Sequence, residues 1–379
     1  MSADRRRAAA LDTEHGNRSI LLFPRLGTRC PATKGSESIT IRTKALGLTA
    51  VAVAVTLALT ACSATGGKKA ADAAAAAAAG TGEAASGGGA VADTPRFTIA
   101  MVTHEAPGDS FWDKVRAGAQ VAAAKDNIDL KYSNDPTGPG EATLVQNAVD
   151  SKVNGIAVTL LSPDTMKDSM AAAKAAGIPT VAFNTGIKQY KDLGALMYFG
   201  SDEDIAGKAV GERITALGAK HPLCIIQEQG SVALEARCAG VKANAPGTEN
   251  LQVDGKDIPS VTATVGAKLQ QDPSIDYVVS LGAPIALAAQ QSIADANSSA
   301  KLVTFDLNAD VAKRVQDGKI LFSVDQQPWL QGYMAVDSLW FYLTNKNDLG
   351  GGGPVLTGPS FVDSTNIADI AKYAANNTR

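Results

Sequence analysis

The chain has 379 residues, enough for two domains that each bury a core. Its 35 basic and 38 acidic residues leave a net charge of −3, which gives no electrostatic footprint for nucleic acid or for an anionic membrane surface. The three histidines, His15, His104 and His221, are far apart and lack metal-ligand spacing, so neither a metal nor a cofactor is expected.

The N-terminal quarter reads as addressing, with residues 1–61 a leader and signal peptide. Residues 1–40 are polar and carry Arg5-Arg6-Arg7 and Cys30 with no apolar core after the arginines, which argues against a twin-arginine signal. Translation is expected to begin near Ile41, at a non-Met start codon. Arg42 and Lys44 precede an uncharged apolar run over 45–61, shorter than the ~20 residues a spanning helix prefers. A basic region, a short apolar region and then small residues describe a secretory signal. The run ends Leu59-Thr60-Ala61-Cys62, which looks like a bacterial lipobox. Cys62 would be acylated and would anchor the chain to the outer face of the cell membrane, and an uncleaved membrane anchor is the alternative. Several acyl chains hold stably where one is marginal.

Residues 62–95 are rich in Ala and Gly, with Gly clusters that argue for a tether rather than a helix. Of the four cysteines, Cys224 and Cys238 remain for the folded body. In an exported chain such a pair either bridges, adding about 3 kcal/mol by loop entropy, or stays as two buried thiols.

From Phe97 the pattern alternates. A strand over 97–103 is followed by a helix over 111–125, with Asp109 or Ser110 as its N-cap. A strand at 129–132, a helix at 141–151 and an apolar strand at 155–161 come next. Pro163-Asp164 open a helix that Gly177-Ile178-Pro179 end, before a strand at 180–183. The pattern then restarts, with helices at 205–217, 233–243, 261–271, 285–297, 309–317 and 329–344. Strands at 223–227, 277–280, 302–305 and 320–324 lie between them. Such alternation means βαβ units and a parallel sheet, and two successive sets mean two similar α/β lobes. Ligands of such sheets bind beyond the carboxyl ends of the strands.

Those ends carry His104, Glu105, Asp109, Phe111, Trp112, Asn184, Gln229, Asp306 and Gln326, with Arg237 in a helix after one strand. Any one of them alone reads better as a cap or a turn residue. Together, carboxylates, amides and an Arg offer directed partners to hydroxyl groups, while aromatic faces cover the C–H side of a sugar ring. A G-x-S-x-G elbow and a phosphate loop are missing, which argues against an enzyme on the same sheet. A signal and a tether stand where a transcription regulator would need its helix-turn-helix.

The ordered segments GDSFWDKVRAGA (108–119), GIAVTLLSPD (155–164), AAGIPTVAFN (175–184), ALEARCAG (233–240), LVTFDLNAD (302–310), DGKILFSVDQQP (317–328) and LQGYMAVDSL (330–339) resemble periplasmic sugar-binding proteins of the ribose-binding type. These are relatives of the ligand domain of lac-repressor-family regulators. The resemblance implies two doubly wound parallel-sheet lobes joined by a three-strand hinge, the type I periplasmic-binding-protein fold. It places 96–202 plus 327–354 in the N-terminal lobe and 203–326 plus 355–379 in the C-terminal lobe. Crossovers are expected near 201–204, 325–327 and 353–357. Asp109 stands where an Asn of the family binds sugar hydroxyls, Phe111 and Trp112 at paired aromatics that sandwich the ring, and Asn184 in place of an Asp. Arg237, Asp306 and Gln326 match further contacts, and Glu105 aligns near a polar one.

Leu281-Gly282-Ala283-Pro284 replaces the family's Asn-Asp pair, so Gly282 would offer only backbone. Simple ribose is thus disfavoured; another pentose, a hexose, an inositol or a linear polyol remains open. The implied function is a monomeric extracytoplasmic lipoprotein that captures a small sugar or polyol by hinge closure and hands it to the permease subunits of an ABC importer. Presenting the ligand to a membrane receptor is the alternative.

Overall fold

The computed structural model describes residues 91–379; the leader, the lipobox with Cys62 and most of the tether lie outside them. The first half of the body runs β1 (Phe97–Thr103), α1 (Ser110–Lys125), β2 (Ile128–Asn134), α2 (Gly138–Asp150), β3 (Gly155–Val158), α3 (Pro163–Ala175), β4 (Thr180–Phe183) and β5 (Met197–Ser201). The second half runs α4 (Glu203–Ala216), β6 (Pro222–Ile226), α5 (Val232–Asn244), β7 (Glu249–Gln252), α6 (Ile258–Gln271), β8 (Tyr277–Ser280), α7 (Ala283–Asp295), β9 (Lys301–Phe305), α8 (Ala309–Gln316) and β10 (Phe322–Asp325). The chain closes with α9 (Pro328–Asn345), β11 (Val355–Gly358), β12 (Ser360–Asp363) and α10 (Ile367–Ala375).

Two six-stranded sheets result, ordered β2-β1-β3-β4-β5-β11 and β7-β6-β8-β9-β10-β12. All pairings are parallel except that of β12 with β10. The same order in both sheets makes the lobes two copies of one doubly wound plan. Strand composition follows from burial on both faces. In β1, Ile99 and Met101 pack into one core and Ala100 and Val102 into the opposite one. In β6, Leu223 and Ile225 face one core while Cys224 and Ile226 face the other. Cys224 meets Cys238 of α5 in a disulfide with a Cα–Cα distance of 5.9 Å, which ties α5 to its sheet.

The chain passes between lobes three times. It leaves the first sheet after β5, and α4 packs with α5 in the second-lobe core. It returns after β10 through Gln327, at a left-handed φ of 56°, into α9, whose Ala335, Val336 and Leu339 join the first-lobe core. The third passage is at Gly358–Pro359, between β11 of the first sheet and β12 of the second. The expected third crossover at 353–357 is therefore corrected: 355–358 pair with β5 and belong to the N-terminal lobe. Among the described residues no helix is long and apolar enough to cross a membrane.

Candidate functional site

The carboxyl ends of the strands of both lobes converge on one inter-lobe pocket. The first lobe contributes His104 after β1, Asp109, Phe111 and Trp112 at the start of α1, and Asn184 and Thr185 after β4. The second contributes Gln227, Glu228 and Ser231 after β6, Arg237 of α5, Leu281 after β8, Asp306 after β9 and Gln326 after β10. The remaining free space is small, about 30 Å³. The lobes touch around it: Asn308 Nδ2 donates to Ser110 Oγ at 3.3 Å, Val232 N donates to Leu161 O at 3.4 Å, and Lys188 pairs with Asp204.

Local backbone geometry aims these side chains. Asn184 and Asp306 follow the fourth strand of each lobe, and both have φ of +66°. Asn and Asp tolerate this left-handed conformation better than most residues, so the chain turns sharply while the side chain stays at the strand tip. Asp109 is the N-cap of α1; its Oδ1 accepts from Phe111 N at 3.0 Å, and its other oxygen is uncommitted. Arg237 donates Nε to Glu203 Oε2 at 2.5 Å, Nη2 to Glu203 Oε1 at 3.1 Å and Nη1 to the Leu281 carbonyl at 3.1 Å, and lies 4.6 Å over the Phe305 ring. Three of its five N–H donors are engaged, which leaves two for the pocket. Gln326 Nε2 donates to Asp306 Oδ1 at 2.6 Å, and Asn184 Nδ2 donates to Gln331 Oε1 at 3.2 Å.

Seven buried side-chain polar atoms among the described residues have no hydrogen-bond partner, and four of them belong to this pocket: Trp112 Nε1, Gln227 Oε1, Ser231 Oγ and Gln326 Oε1. Each such atom costs about 1–3 kcal/mol, and a cluster in one place is the signature of a polar ligand's contact set. Burial pushes Asp109 up to about 6 and both Glu228 and Asp306 up to about 7, with Arg237 pulling the last two back. Burial, followed by the charge of Arg237, drives His104 down to about 3. The imidazole is therefore neutral, held through Nδ1 at 2.8 Å from Thr159 Oγ1 and lying 3.9 Å from Glu228. Buried Lys114, pulled below its ordinary range by the same desolvation, is attracted to Asp306 and Asp109. The wall is thus rich in hydrogen-bond acceptors.

Six of the nine residues expected from sequence to bind ligand carry a polar group and line the inner pocket: Asp109, Trp112, Asn184, Arg237, Asp306 and Gln326. Phe111 joins them as apolar wall. The expected sandwich is corrected: Phe111 and Trp112 are consecutive in the first turn of α1, meet edge to face at 5.1 Å, and form one wall with no room for a ring between them. Glu105 is also corrected, since its Oε2 accepts from Arg116 Nη2 and from Tyr132 OH, each at 2.6 Å, away from the pocket. Gly282 lines a second, outer crevice instead. Sequence reading missed Gln227, Glu228 and Ser231; the polar run after β6 was the available signal, but it pointed to Gln229, one residue beyond Glu228. His221, Glu249 and Asp272 cluster on the second lobe, where Lys268 supplies their counter-charge at 2.7 Å from Glu249.

A carbohydrate transporter from Acidothermus cellulolyticus 11B, solved in complex with myo-inositol, is 55% identical and covers 75% of this chain and 100% of its own, with a TM-score of 0.74. The xylose/arabinose-binding protein of Sulfolobus acidocaldarius is 24% identical over 302 residues, 74% of each chain. An ABC transporter solute-binding protein from Burkholderia graminis, in complex with D-arabinose, is 22% identical with a TM-score of 0.63, covering 73% of this chain and 98% of its own; it shares the fold. The model of the periplasmic binding protein domain matches residues 99–347, and with two lobes of that plan closing on one polar pocket, the chain belongs to the periplasmic-binding-protein family.

Proposed function

We propose that this protein is the extracytoplasmic binding component of an ABC importer, that it captures a cyclic polyol or monosaccharide between its lobes, and that it performs no chemistry on it. The observation that carries this reading is the cluster of four unpartnered polar atoms beside the carboxyls of buried Asp306 and half-buried Asp109 and Glu228, with two free Arg237 donors, in a single inter-lobe pocket. Hydroxyl groups both donate and accept, so a polyol satisfies carboxylates and amides at once while its C–H face packs on Phe111 and Trp112. The relative bound to myo-inositol supports a cyclitol as the first ligand to try. In this reading Cys62 carries the lipid that holds the protein outside the membrane, and permease subunits recognise the closed lobes.

A thermal-shift panel of myo-inositol, pentoses, hexoses and linear polyols tests the reading. A ligand that binds only the folded state at 100 times its Kd stabilises it by about 2.7 kcal/mol. A rise in Tm with one of these classes is the expected outcome. No rise with any of them, or turnover of a compound that binds, overturns the proposal.

A further inference from the structure

The inner pocket does not end the cleft. An outer crevice of about 1080 Å³ continues from it, sharing His104, Asp109, Gln227 and Glu228 as common wall. It is built by the loops after β1, β2 and β3 of the first lobe and after β6, β7 and β8 of the second. In the sheet orders these strands lie away from β5, β11, β10 and β12, which carry the crossovers. The crevice therefore occupies the side of the cleft opposite the hinge. It persists while Val232 N already meets Leu161 O and Ser110 already meets Asn308, so contact between the lobes at the inner pocket does not close it. Ligand pockets run to about 300–1,000 Å³; the crevice lies at the top of that range, while the inner pocket, at about 30 Å³, must widen by hinge motion to admit the first ring.

The chemistry of its wall narrows what fits. Pro136, Pro139, Val253 and Ile258 give apolar surface, and Gln229 and Gln252 give amides. Gln252 Nε2 donates to Glu235 Oε1 at 3.0 Å, which fixes one acceptor at the rim. Asp109, Glu228, Glu235 and Asp254 stand against Lys256, so even with Glu228 and Asp109 raised to about 7 and 6 negative charge is in excess and an anionic substituent such as phosphate meets repulsion. From the continuity of the two spaces and the charge of the outer one, we infer that the ligand is a ring bearing a neutral hydroxylated substituent, a glycosylated cyclitol or sugar whose second ring occupies the outer crevice. This inference rests on the proposed polyol-binding function and names its substrate class.

Titration calorimetry on the full purified chain compares myo-inositol, α-galactosyl-myo-inositol and myo-inositol 1-phosphate. The glycoside is expected to bind at least about tenfold more tightly than the free ring, and the phosphate more weakly than the ring. Thr165→Trp and Lys256→Trp, both at exposed positions of the outer wall, should each bring the glycoside-to-ring affinity ratio down to about one. A glycoside no tighter than the ring overturns the inference and leaves ring binding standing. A glycoside advantage that survives both substitutions also overturns it, because the second ring then lies elsewhere. Binding of none of the three compounds removes the inference and the cyclitol reading together.

Discussion

Asp306 concentrates the electrostatics of the site in one side chain. It is buried, its carboxyl is pushed up to about 7, and one oxygen already accepts from Gln326. Its remaining acceptor capacity faces the pocket, where a ligand hydroxyl would donate. Hydrogen bonds to charged groups contribute roughly 1.5–3 kcal/mol, so Asp306→Asn, which keeps the shape, should weaken polyol affinity about 10- to 100-fold while leaving the far-ultraviolet circular dichroism unchanged. The same carboxyls set a pH dependence. With Asp109, Glu228 and Asp306 raised above their ordinary values, the ligand-free fold holds protons that the unfolded chain has released. Their contribution to stability is greatest below the ordinary carboxylate range and is lost as pH rises through about 6–7. Donating hydroxyls favour the charged carboxylates, so binding should release protons, and affinity should climb between about pH 5 and 8. Calorimetry at pH 6.5 in two buffers of different ionisation enthalpy reads that release directly; proton uptake would mean that the acids donate rather than accept.

Among the helices, the two that directly follow a crossover, α4 and α9, are each seated by glycines against a neighbouring helix of the lobe they enter. In the first lobe a Cβ on Gly118 of α1 would stand 1.9 Å from the Trp329 carbonyl oxygen of α9, and one on Gly332 of α9 would stand 1.9 Å from the Val115 carbonyl oxygen of α1. In the second lobe Gly207 of α4 meets the backbone of Arg237, and Gly240 of α5 meets that of Gly207 and Lys208. Because the obstructing atoms are backbone, the helices must separate to admit a methyl group. Overpacking of this kind costs about 1–3 kcal/mol, and Gly118→Ala should lower the urea midpoint accordingly, with ligand affinity falling too because Asp109, Phe111 and Trp112 ride on α1.

Legibility in the sequence follows the same division. Apolar runs such as FTIAMVT and GIAVTLL mark strands buried on both faces, and the alternation with helices gives the lobes. β7 at ENLQ has alternate residues exposed and little β-branching, so it left no readable signal. β11 and β12 are four-residue strands whose place is set by pairing with β5 and β10 across long sequence separations. Residues at strand tips, such as Asp306 and Asn184, were legible because position alone aims them into the cleft. Glu105 was misread because its partners Arg116 and Tyr132 lie 11 and 27 residues away, and only the folded sheet brings them together.

The whole molecule couples its pocket to its hinge through shared side chains. Asn184, at the pocket, bonds Gln331, whose Nε2 donates to the Gln326 carbonyl and to Thr357 Oγ1. Gln327 in turn donates Nε2 to the Thr357 carbonyl at 2.7 Å, and Arg379 holds Asp325 at 2.6 Å. Two crossovers, β10–α9 and β11, are thus knitted to each other and to two pocket residues. What keeps the lobes together around the pocket is slight by comparison: an exposed Lys188–Asp204 pair, one side-chain bond of 3.3 Å, one backbone bond of 3.4 Å and the 3.9 Å approach of neutral His104 to Glu228. An exposed ion pair contributes about 0–1 kcal/mol, whereas closure without ligand buries unpartnered polar atoms at about 1–3 kcal/mol each. The ligand-free equilibrium should therefore favour an open form, and ligand should select the closed one by satisfying those atoms. Small-angle scattering should give a larger radius of gyration without ligand than with saturating ligand. Trp112 is one of three tryptophans and the one in the pocket, so its emission should follow the same transition and the response should vanish in Trp112→Phe. An unchanged radius on ligand addition would mean that the contacts between the lobes suffice for closure and that the pocket fills without hinge motion.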